Sequence, residues 1–208
     1  MRIFEQEPLS SHTTFRIGGP ASYYMIPENA EEIREGIRFA RERGLPFITI
    51  GRGSNMLFPD EGYDGVVLEI GSGMNQIEYC GAGKIRAQAG ALLSAIASEA
   101  ARHSLTGFEF AGGIPGTLGG AVVMNAGAYG GEIKDCILGA RVMDSAGNES
   151  WLDREQLELG YRTSVIQRQG VLVLEAEFQF ETGDSGEIRE RMKELSAKRR
   201  EKQPLEFA

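Results

Sequence analysis

The fold of this chain is decided by a glycine-rich stretch, Gly112-Gly113-Ile114-Pro115-Gly116-Thr117-Leu118-Gly119-Gly120-Ala121, which continues as Met124-Asn125-Ala126-Gly127-Ala128-Tyr129-Gly130-Gly131. Glycine lets backbone N–H groups approach a ligand closely and adopts positive φ at little steric cost. Successive N–H groups in such turns form concavities that bind anions. Apolar residues stand between the glycines, where a flexible linker would carry Ser and Lys. The stretch therefore predicts an ordered loop and short helix around a flat ligand that bears phosphate, although a turn needed only for packing explains the glycine count equally well.

A second glycine turn lies upstream, at Gly51-Arg52-Gly53-Ser54-Asn55, directly after a short apolar strand at 47–50. Upstream of this turn, the sequence pattern predicts a strand at 20–27 and a helix over about 30–43. Capping by Asn29 and Glu32 begins this helix, and Gly44 ends it. Ile33, Ile37 and Ala40 form the buried face of that helix. A further strand at 65–70 completes a β-α-β unit. Its glycine turn stands at the carboxyl end of a strand, where open α/β sheets commonly bind ligands.

The second half of the chain alternates strands and helices without an internal repeat. Gly71-Ser72-Gly73 is the predicted junction between subdomains. Residues 9–19 are predicted to be extended up to a glycine turn, and the helix near 91–103 is predicted to bury Leu92, Leu93, Ile96 and Ala100. The other predicted elements are strands near 76–80 and 84–89, a strand at 137–144 with a hairpin turn at 145–148, a short helix from Asp153 to Leu159, a strand at 171–180, and a helix at 185–202 running into Pro204. This mixture predicts an α+β fold with two sheets.

Several common active-site motifs are missing from the sequence. There is no G-x-G-x-x-G, which argues against a Rossmann dinucleotide fold, and no P-loop. G-x-S-x-G and H-E-x-x-H are also missing. The two histidines, His12 and His103, are interpreted as surface or helix-terminal residues. With only Cys80 and Cys136 as further soft ligands, no metal site is expected, and two unpaired thiols in a reducing cytoplasm are the simplest interpretation.

Composition narrows the class of protein further. The chain has 208 residues, of which 41% are apolar and 25% charged, as in an ordinary globular protein. Its net charge of −8 argues against a nucleic-acid partner but not against a phosphate held by local N–H groups. No apolar run of about 18 residues is present, so no membrane-spanning helix is expected. The acidic N-terminal sequence argues against a signal peptide, and a cytoplasmic protein is expected.

The two glycine turns together suit a ligand with a central pyrophosphate and a large flat end. The first turn would take the phosphates through N–H groups and the Ser54 hydroxyl. The second would lie along the flat ring, where side chains would collide. Asn125 offers there an amide that both donates and accepts hydrogen bonds, as the edge of a heterocycle requires.

Four motifs occur in an order typical of one enzyme family. They are Leu9-Ser10-x-x-Thr13-Thr14-Phe15-Arg16-Ile17-Gly18-Gly19, Gly51-Arg52-Gly53-Ser54-Asn55-Met56-Leu57, the stretch 112–131, and Gly160-Tyr161-Arg162-Thr163-Ser164. Through them the chain closely resembles the UDP-N-acetylenolpyruvoylglucosamine reductases, flavin-dependent bacterial enzymes that complete UDP-N-acetylmuramate. The resemblance extends over essentially all 208 residues.

The resemblance implies a two-lobed FAD-binding fold of the vanillyl-alcohol-oxidase (PCMH) type, with lobe 1 at 1–70 and lobe 2 at 71–208. FAD would bind non-covalently between the lobes, and NADPH would reduce it. The reaction would belong to peptidoglycan synthesis, on which cell shape and cell division depend. The substrate would be a UDP-sugar enolpyruvyl ether. The residues implied in cofactor binding are Gly51, Arg52, Gly53, Ser54, Asn55, Met56, Gly113, Ile114, Pro115, Gly116, Thr117, Gly119, Gly120, Ala121, Asn125, Gly127 and Ala128.

Arg162 matches the active-site arginine of the family, and Tyr161 beside it is expected to shape the substrate pocket. Hydride addition pushes negative charge toward the substrate carboxylate, and a guanidinium that is always protonated stabilises that charge. For Arg16, a structural role and a role in the site are equally compatible with its motif.

The chain departs from the family pattern at its C-terminal end. Family members continue into a third domain that supplies a proton-donating serine and a glutamate, and neither Ser196 nor Glu206 matches these residues. The expectation is an FAD-binding part with little turnover by itself, since loss of a general acid costs about 10²–10⁴ in rate. Two alternatives remain at this stage: a non-catalytic flavin-binding module, and a flavin oxidoreductase of the same fold with another substrate. The oligomeric state stays open.

Overall fold

The computed structural model describes residues 1–202, in which two β-sheets carry most of the strands. Pro204, Glu206 and the rest of 203–208 lie outside the described residues. The strands are β1 (Arg2–Pro8), β2 (Pro20–Ile26), β3 (Phe47–Ile50), β4 (Tyr63–Glu69), β5 (Ile77–Gly81), β6 (Lys84–Gln88), β7 (Leu105–Thr106), β8 (Gly127–Ala128), β9 (Gly131–Glu132), β10 (Ile137–Met143), β11 (Glu149–Asp153), β12 (Leu172–Gln179) and β13 (Glu181–Thr182). The helices are α1 (Ala30–Glu42), α2 (Leu93–Arg102), α3 (Leu118–Val123), α4 (Val165–Gln169) and α5 (Ser185–Lys202).

The first sheet has the strand order β1-β2-β4-β3 and contains the predicted β-α-β unit. β2, β4 and β3 are parallel, and β1 pairs antiparallel with β2 at one edge. The sequence did not predict β1, because its residues are nearly all exposed and show no apolar alternation. Residues 9–19 do not continue as an extended segment. They begin with a short 3₁₀ turn at Leu9–Ser11 that buries Leu9 completely, and the predicted glycine turn follows at Gly18, whose φ is +132°.

Helix α1 begins and ends as its sequence predicts. The Asn29 side chain accepts a hydrogen bond from the backbone N–H of Glu32. The Glu32 carboxylate in turn accepts from the N–H of Glu28, one residue earlier than in a capping box, and pairs with the N-terminal ammonium. Gly44 has a φ of +65°, and its N–H and that of Leu45 bond back to the last turn. This is a Schellman motif, which only a residue tolerant of positive φ accommodates without strain.

The second sheet has the antiparallel order β11-β10-β12-β6-β5. Two predictions for this half were wrong. Leu92 is 37% exposed, because it precedes the first turn of α2 and points away from the buried face. The helix predicted from Asp153 to Leu159 is not formed: Asp153 ends β11, and turns follow at 154–158. Asp153 and Gln156 exchange capping hydrogen bonds, but Glu158 then takes a φ of +45° and the chain reverses.

One continuous core joins the two sheets. Ile33 and Ile37 of α1 and Leu68 of β4 belong to the same buried cluster as Ile85 of β6 and Phe178 of β12. At the surface, Arg34 of α1 donates to the carbonyl oxygen of Gly147 and to the Glu149 carboxylate, in and just after the β10–β11 turn. The division into lobes at residue 70 therefore stays a prediction about ligand binding, since the two sheets pack as one unit. Within residues 1–202, no helix combines the length and apolarity needed to cross a membrane.

Candidate functional site

The turn after β3 is shaped to present backbone donors. Gly53 has a φ of +61°, and a Cβ on it would lie 2.0 Å from the carbonyl oxygen of His12, so only glycine fits. The N–H group of Thr14 bonds to the Gly53 carbonyl oxygen and holds the turn in place. Among the described residues, the backbone N–H groups of 52–55 find no backbone acceptor. Consecutive free donors of this kind form an anion-binding nest, which fits a pyrophosphate.

The two predicted glycine turns touch each other. The Ser54 hydroxyl donates a 2.6 Å hydrogen bond to the carbonyl oxygen of Pro115. A Cβ on Gly51 would lie 2.1 Å from Oγ1 of Thr117, so the backbone of the first turn packs directly against the second segment. Although about 60 residues separate them in sequence, the turns form one continuous wall.

A cleft of about 690 Å³ opens along this wall. Of the residues predicted to bind cofactor, Gly51, Arg52 and Thr117 line it. The sequence prediction missed the other residues that line the cleft, which are Ser11, His12, Thr13, Thr14, Glu69, Gly71, Ser72, Asn75, Gly90 and Leu92. The first four belong to the Leu9–Gly19 motif, and this motif could have indicated them. Arg16 belongs to the same motif and also lines the cleft. Glu69 and Leu92 carry no sequence signal, because only the register of the sheet and the start of α2 place them there.

Other predicted residues lie beside or behind this wall. A Cβ on Gly113 would lie 3.3 Å from Arg199 Cδ, so Gly113 lets this side chain of helix α5 lie close to the backbone. Gly119 packs against Ala89, whereas Gly120 faces open space. Packing therefore explains some of the glycines, as the alternative interpretation held. The remaining positions are Asn55, which is exposed; Gly116, near Ser54; Ala121, which is buried; and Ile114 and Met56, which are partly buried against the core.

A second cleft of about 220 Å³ lies at the far end of the glycine-rich stretch. It gathers Asn125, Gly127 and Ala128 from that stretch with Tyr161 and Arg162 from a distant motif. Tyr161 is 86% exposed, and the guanidinium carbon of Arg162 stands 5.9 Å from its ring centroid. The structure thus brings the predicted catalytic arginine to the predicted cofactor segment.

Asn125 connects these two segments from a buried position, with 2% of its surface exposed. Its Nδ2 group donates to the carbonyl oxygen of Gly160 at 3.0 Å and to the Glu132 carboxylate at 2.8 Å. Its Oδ1 atom accepts from the N–H of Lys134 at 2.9 Å. Both amide protons are therefore used within the protein, and only a remaining lone pair on Oδ1 could serve a heterocycle as the sequence interpretation expected.

Of the eight non-glycine residues with positive φ in 1–202, three line the smaller cleft. Asn125, Tyr129 and Arg162 have φ values of +42°, +54° and +55°. L-residues rarely adopt this region, and they do so mainly where surrounding contacts enforce it, often at functional sites. Arg16, on the wall of the larger cleft, is a fourth example with a φ of +52°.

The charges of the smaller cleft are arranged around Glu132. Hydrogen bonds from the Lys134 ammonium and the Asn125 amide, together with the positive charge of Arg162, hold the pKa of the Glu132 carboxyl below its usual value. Glu132 is consequently an anion at neutral pH, close to the guanidinium of Arg162. Residues 1–202 contain no group of three or more His, Cys, Asp or Glu side chains arranged to hold a metal ion.

Comparison with known proteins identifies the family. A family model described as an FAD binding domain matches residues 21–153. A UDP-N-acetylenolpyruvoylglucosamine reductase of Lachnoclostridium phytofermentans is 48% identical, over 99% of this chain and 67% of its own length. That of Clostridioides difficile is 45% identical, over 97% of this chain and 66% of its own length. This chain belongs to the UDP-N-acetylenolpyruvoylglucosamine reductase family.

Solved structures confirm the fold expected of this reductase family. The UDP-N-acetylenolpyruvylglucosamine reductase of Thermus caldophilus superposes with a TM-score of 0.82 and 33% identity, covering 96% of this chain and 70% of that chain. The 6-hydroxy-D-nicotine oxidase of Arthrobacter nicotinovorans, at 20% identity and a TM-score of 0.65, shares the fold. The predicted α+β FAD-binding fold of the vanillyl-alcohol-oxidase type is thereby confirmed. The chain spans about two thirds of the length of the curated reductases it matches.

Proposed function

We propose that this chain is the FAD-binding part of a UDP-N-acetylenolpyruvoylglucosamine reductase. The complete reaction would use NADPH to reduce UDP-N-acetylglucosamine enolpyruvate to UDP-N-acetylmuramate in the cytoplasm, for peptidoglycan synthesis. One observation carries the proposal: Arg162 stands in the cleft that the glycine-rich stretch forms, on a turn that Asn125 ties to that stretch. A protein that only held a flavin would not need an exposed guanidinium at this position.

The residues present fit a non-covalent FAD. The free N–H groups of 52–55 would hold the pyrophosphate, with Ser54 fixing their distance from the second glycine segment. The open face at Gly120 leaves room for a flat group against the backbone. In this proposal lobe 1 spans 1–70 and lobe 2 begins at 71, with the larger cleft between them.

Arg162 would bind the carboxylate of the substrate. Reduction of the enolpyruvyl ether adds a hydride and a proton across its double bond, and the hydride shifts negative charge onto the neighbouring carbon and the carboxylate. FAD, when bound, supplies the two-electron transfer chemistry. A protonated guanidinium that binds the carboxylate through two N–H groups stabilises this charge more in the transition state than in the ground state. Tyr161, exposed beside it, would form the wall of the substrate pocket.

The test combines flavin spectra with matched arginine variants. The purified chain is titrated with FAD, and the visible flavin band is followed while the enolpyruvyl UDP-sugar is added. Arg162→Ala should bind FAD normally but lower the substrate affinity seen in that band about tenfold or more, as for a lost hydrogen bond to a charged group. Arg168→Ala serves as the control, because Arg168 is an exposed arginine that pairs with Glu158.

Two results would contradict the proposal. A wild-type chain that stays colourless after incubation with FAD would show that the glycine turns do not bind the cofactor. Equal substrate affinity in the wild type and Arg162→Ala would remove Arg162 from the reaction. Anaerobic addition of NADPH to the FAD-loaded chain, with NADH as the comparison, tests the choice of reductant.

A further inference from the structure

A carboxylate outside the predicted site stands on the wall of the larger cleft. Glu69 is the last residue of β4, and its side chain is about one quarter exposed. The phenol of Tyr24, which is fully buried, donates a 2.5 Å hydrogen bond to Glu69 Oε2. His12 stacks on the Tyr24 ring with 4.0 Å between the ring centroids, and its Nδ1 atom is 3.6 Å from the same Glu69 oxygen.

This arrangement holds Glu69 in one orientation. Burial, followed by the hydrogen bond to Glu69, raises the pKa of Tyr24 far above its usual value, so the phenol remains a donor at every ordinary pH. The second oxygen, Oε1, lies on the side of Gly71, where an added Cβ would come within 2.9 Å of it. No described residue donates a hydrogen bond to Oε1, which leaves it as a pre-oriented acceptor in the cleft.

The position of Glu69 relates it to the proposed phosphate site. β3 and β4 are parallel, and Glu69 stands opposite Ile50 in register. Ile50 immediately precedes the turn whose N–H groups at 52–55 are free. The end of β4 therefore places a carboxylate with a free oxygen next to the turn that bears the free N–H groups, and Arg52 of that turn lines the same cleft as Glu69. In a dinucleotide, sugar hydroxyls flank the pyrophosphate, and an acidic side chain is a common partner for such hydroxyls.

We propose that Glu69 accepts hydrogen bonds from the sugar hydroxyls of the bound dinucleotide next to its pyrophosphate. The inference rests on the proposed function, since it requires that FAD occupies this cleft. Tyr24 acts as a positioning residue, because it fixes the carboxylate without reaching the ligand. The hydroxyls belong either to the ribose of the adenosine or to the ribityl chain of the flavin, which have the same chemistry.

The decisive variant is Glu69→Gln, which keeps an oxygen that can accept from Tyr24 but removes the charge. We expect its dissociation constant for FAD, measured by quenching of flavin fluorescence, to rise about tenfold or more. Tyr24→Phe should raise the dissociation constant less, by about threefold, because the carboxylate remains and only loses its fixed orientation. Glu35→Gln, at an exposed position of α1, is the matched control and should stay within about twofold of wild type.

The sign of the effect separates this proposal from electrostatic repulsion alone. If Glu69 only stood near the phosphates, removing its charge would strengthen FAD binding, and an equal or lower dissociation constant in Glu69→Gln would overturn the proposal. Titrations with FMN and ADP distinguish the two hydroxyl sources. A loss seen with ADP but not FMN assigns the adenosine ribose, and the reverse assigns the ribityl chain. Failure of the wild-type chain to bind FAD would instead refute the proposed function itself.

Discussion

The buried side-chain amide of Asn125 donates a 3.0 Å hydrogen bond to the carbonyl oxygen of Gly160, 35 residues further along the chain. Gly160 and Thr163 bond to each other across a tight turn that carries Arg162 at its tip. A second tie supports the first, because the hydroxyl of Ser164, also buried, donates to the carbonyl oxygen of Val123 at 2.7 Å. The arginine thus has an exposed side chain on an anchored backbone, which is how a binding group is pre-organised.

Replacing Asn125 should loosen this turn. Asn125→Ala removes the hydrogen bonds to the Gly160 carbonyl, the Glu132 carboxylate and the Lys134 N–H. Losing such bonds costs about 1–3 kcal/mol in the free energy of unfolding. Urea denaturation measures this loss, and the rate of tryptic cleavage after Arg162 measures the loosening. Asn148→Ala, which removes an exposed amide, should change the free energy of unfolding by about 0.5 kcal/mol or less. An unchanged rate of cleavage after Arg162 would show that the turn keeps its conformation without the Asn125 hydrogen bond.

Two glycines with nearly the same φ should respond differently to alanine. Gly44 has a φ of +65° and no atom near its missing Cβ, so Gly44→Ala costs only the left-handed strain of about 1–2 kcal/mol. Gly53, at +61°, also faces the His12 carbonyl at 2.0 Å, so Gly53→Ala must displace the turn. We expect Gly53→Ala to lower the stability in urea more than Gly44→Ala does. We also expect Gly53→Ala, but not Gly44→Ala, to lose FAD binding. Equal effects of the two variants would contradict the assigned contact.

The two thiols should differ in reactivity. Cys80 is exposed on β5, whereas burial raises the pKa of the Cys136 thiol well above its usual value. Because the thiolate is the reactive form, a disulfide reagent should label one thiol per native chain quickly and the second only after unfolding. Cys80→Ser should abolish the fast phase, and two fast thiols in that assay would contradict the burial of Cys136.

Asp184 should make the stability of α5 depend on pH. Its carboxylate accepts hydrogen bonds from the N–H groups of Glu187 and Gly186, which lower its pKa below the usual value. Its contribution is therefore complete above the ordinary aspartate pKa and is lost as the pH falls through the lowered value. Asp184→Asn should melt below wild type at neutral pH, and the difference in Tm should shrink on acidification. A difference that stays constant with pH would contradict this assignment.

Much of the first sheet was predictable because its signals are local. Asn29 and Gly44 begin and end α1 through bonds to residues at most four positions away. The apolar periodicity of α1 and the runs of β3 and β4 needed no information from elsewhere. β1 escaped prediction because its exposed residues carry no such pattern. The helix prediction at 153–159 was wrong because the capping hydrogen bonds there are those of a helix start. The positive φ of Glu158 then reverses the chain before a helix can continue.

The sequence by itself determined most of the larger helices and strands, the glycine turns and, through four ordered motifs, the family. The elements and turns depend on hydrogen bonds and apolar periodicity within a few residues, so a short stretch of sequence is enough to predict them. Only the tertiary structure decided which glycines serve packing, as Gly51 does against Thr117, and which face open space, as Gly120 does. It also placed Glu69 beside the turn at Gly51–Asn55 and joined Asn125 to Gly160. Such contacts arise from strand register and from packing between distant segments, and no local pattern encodes them.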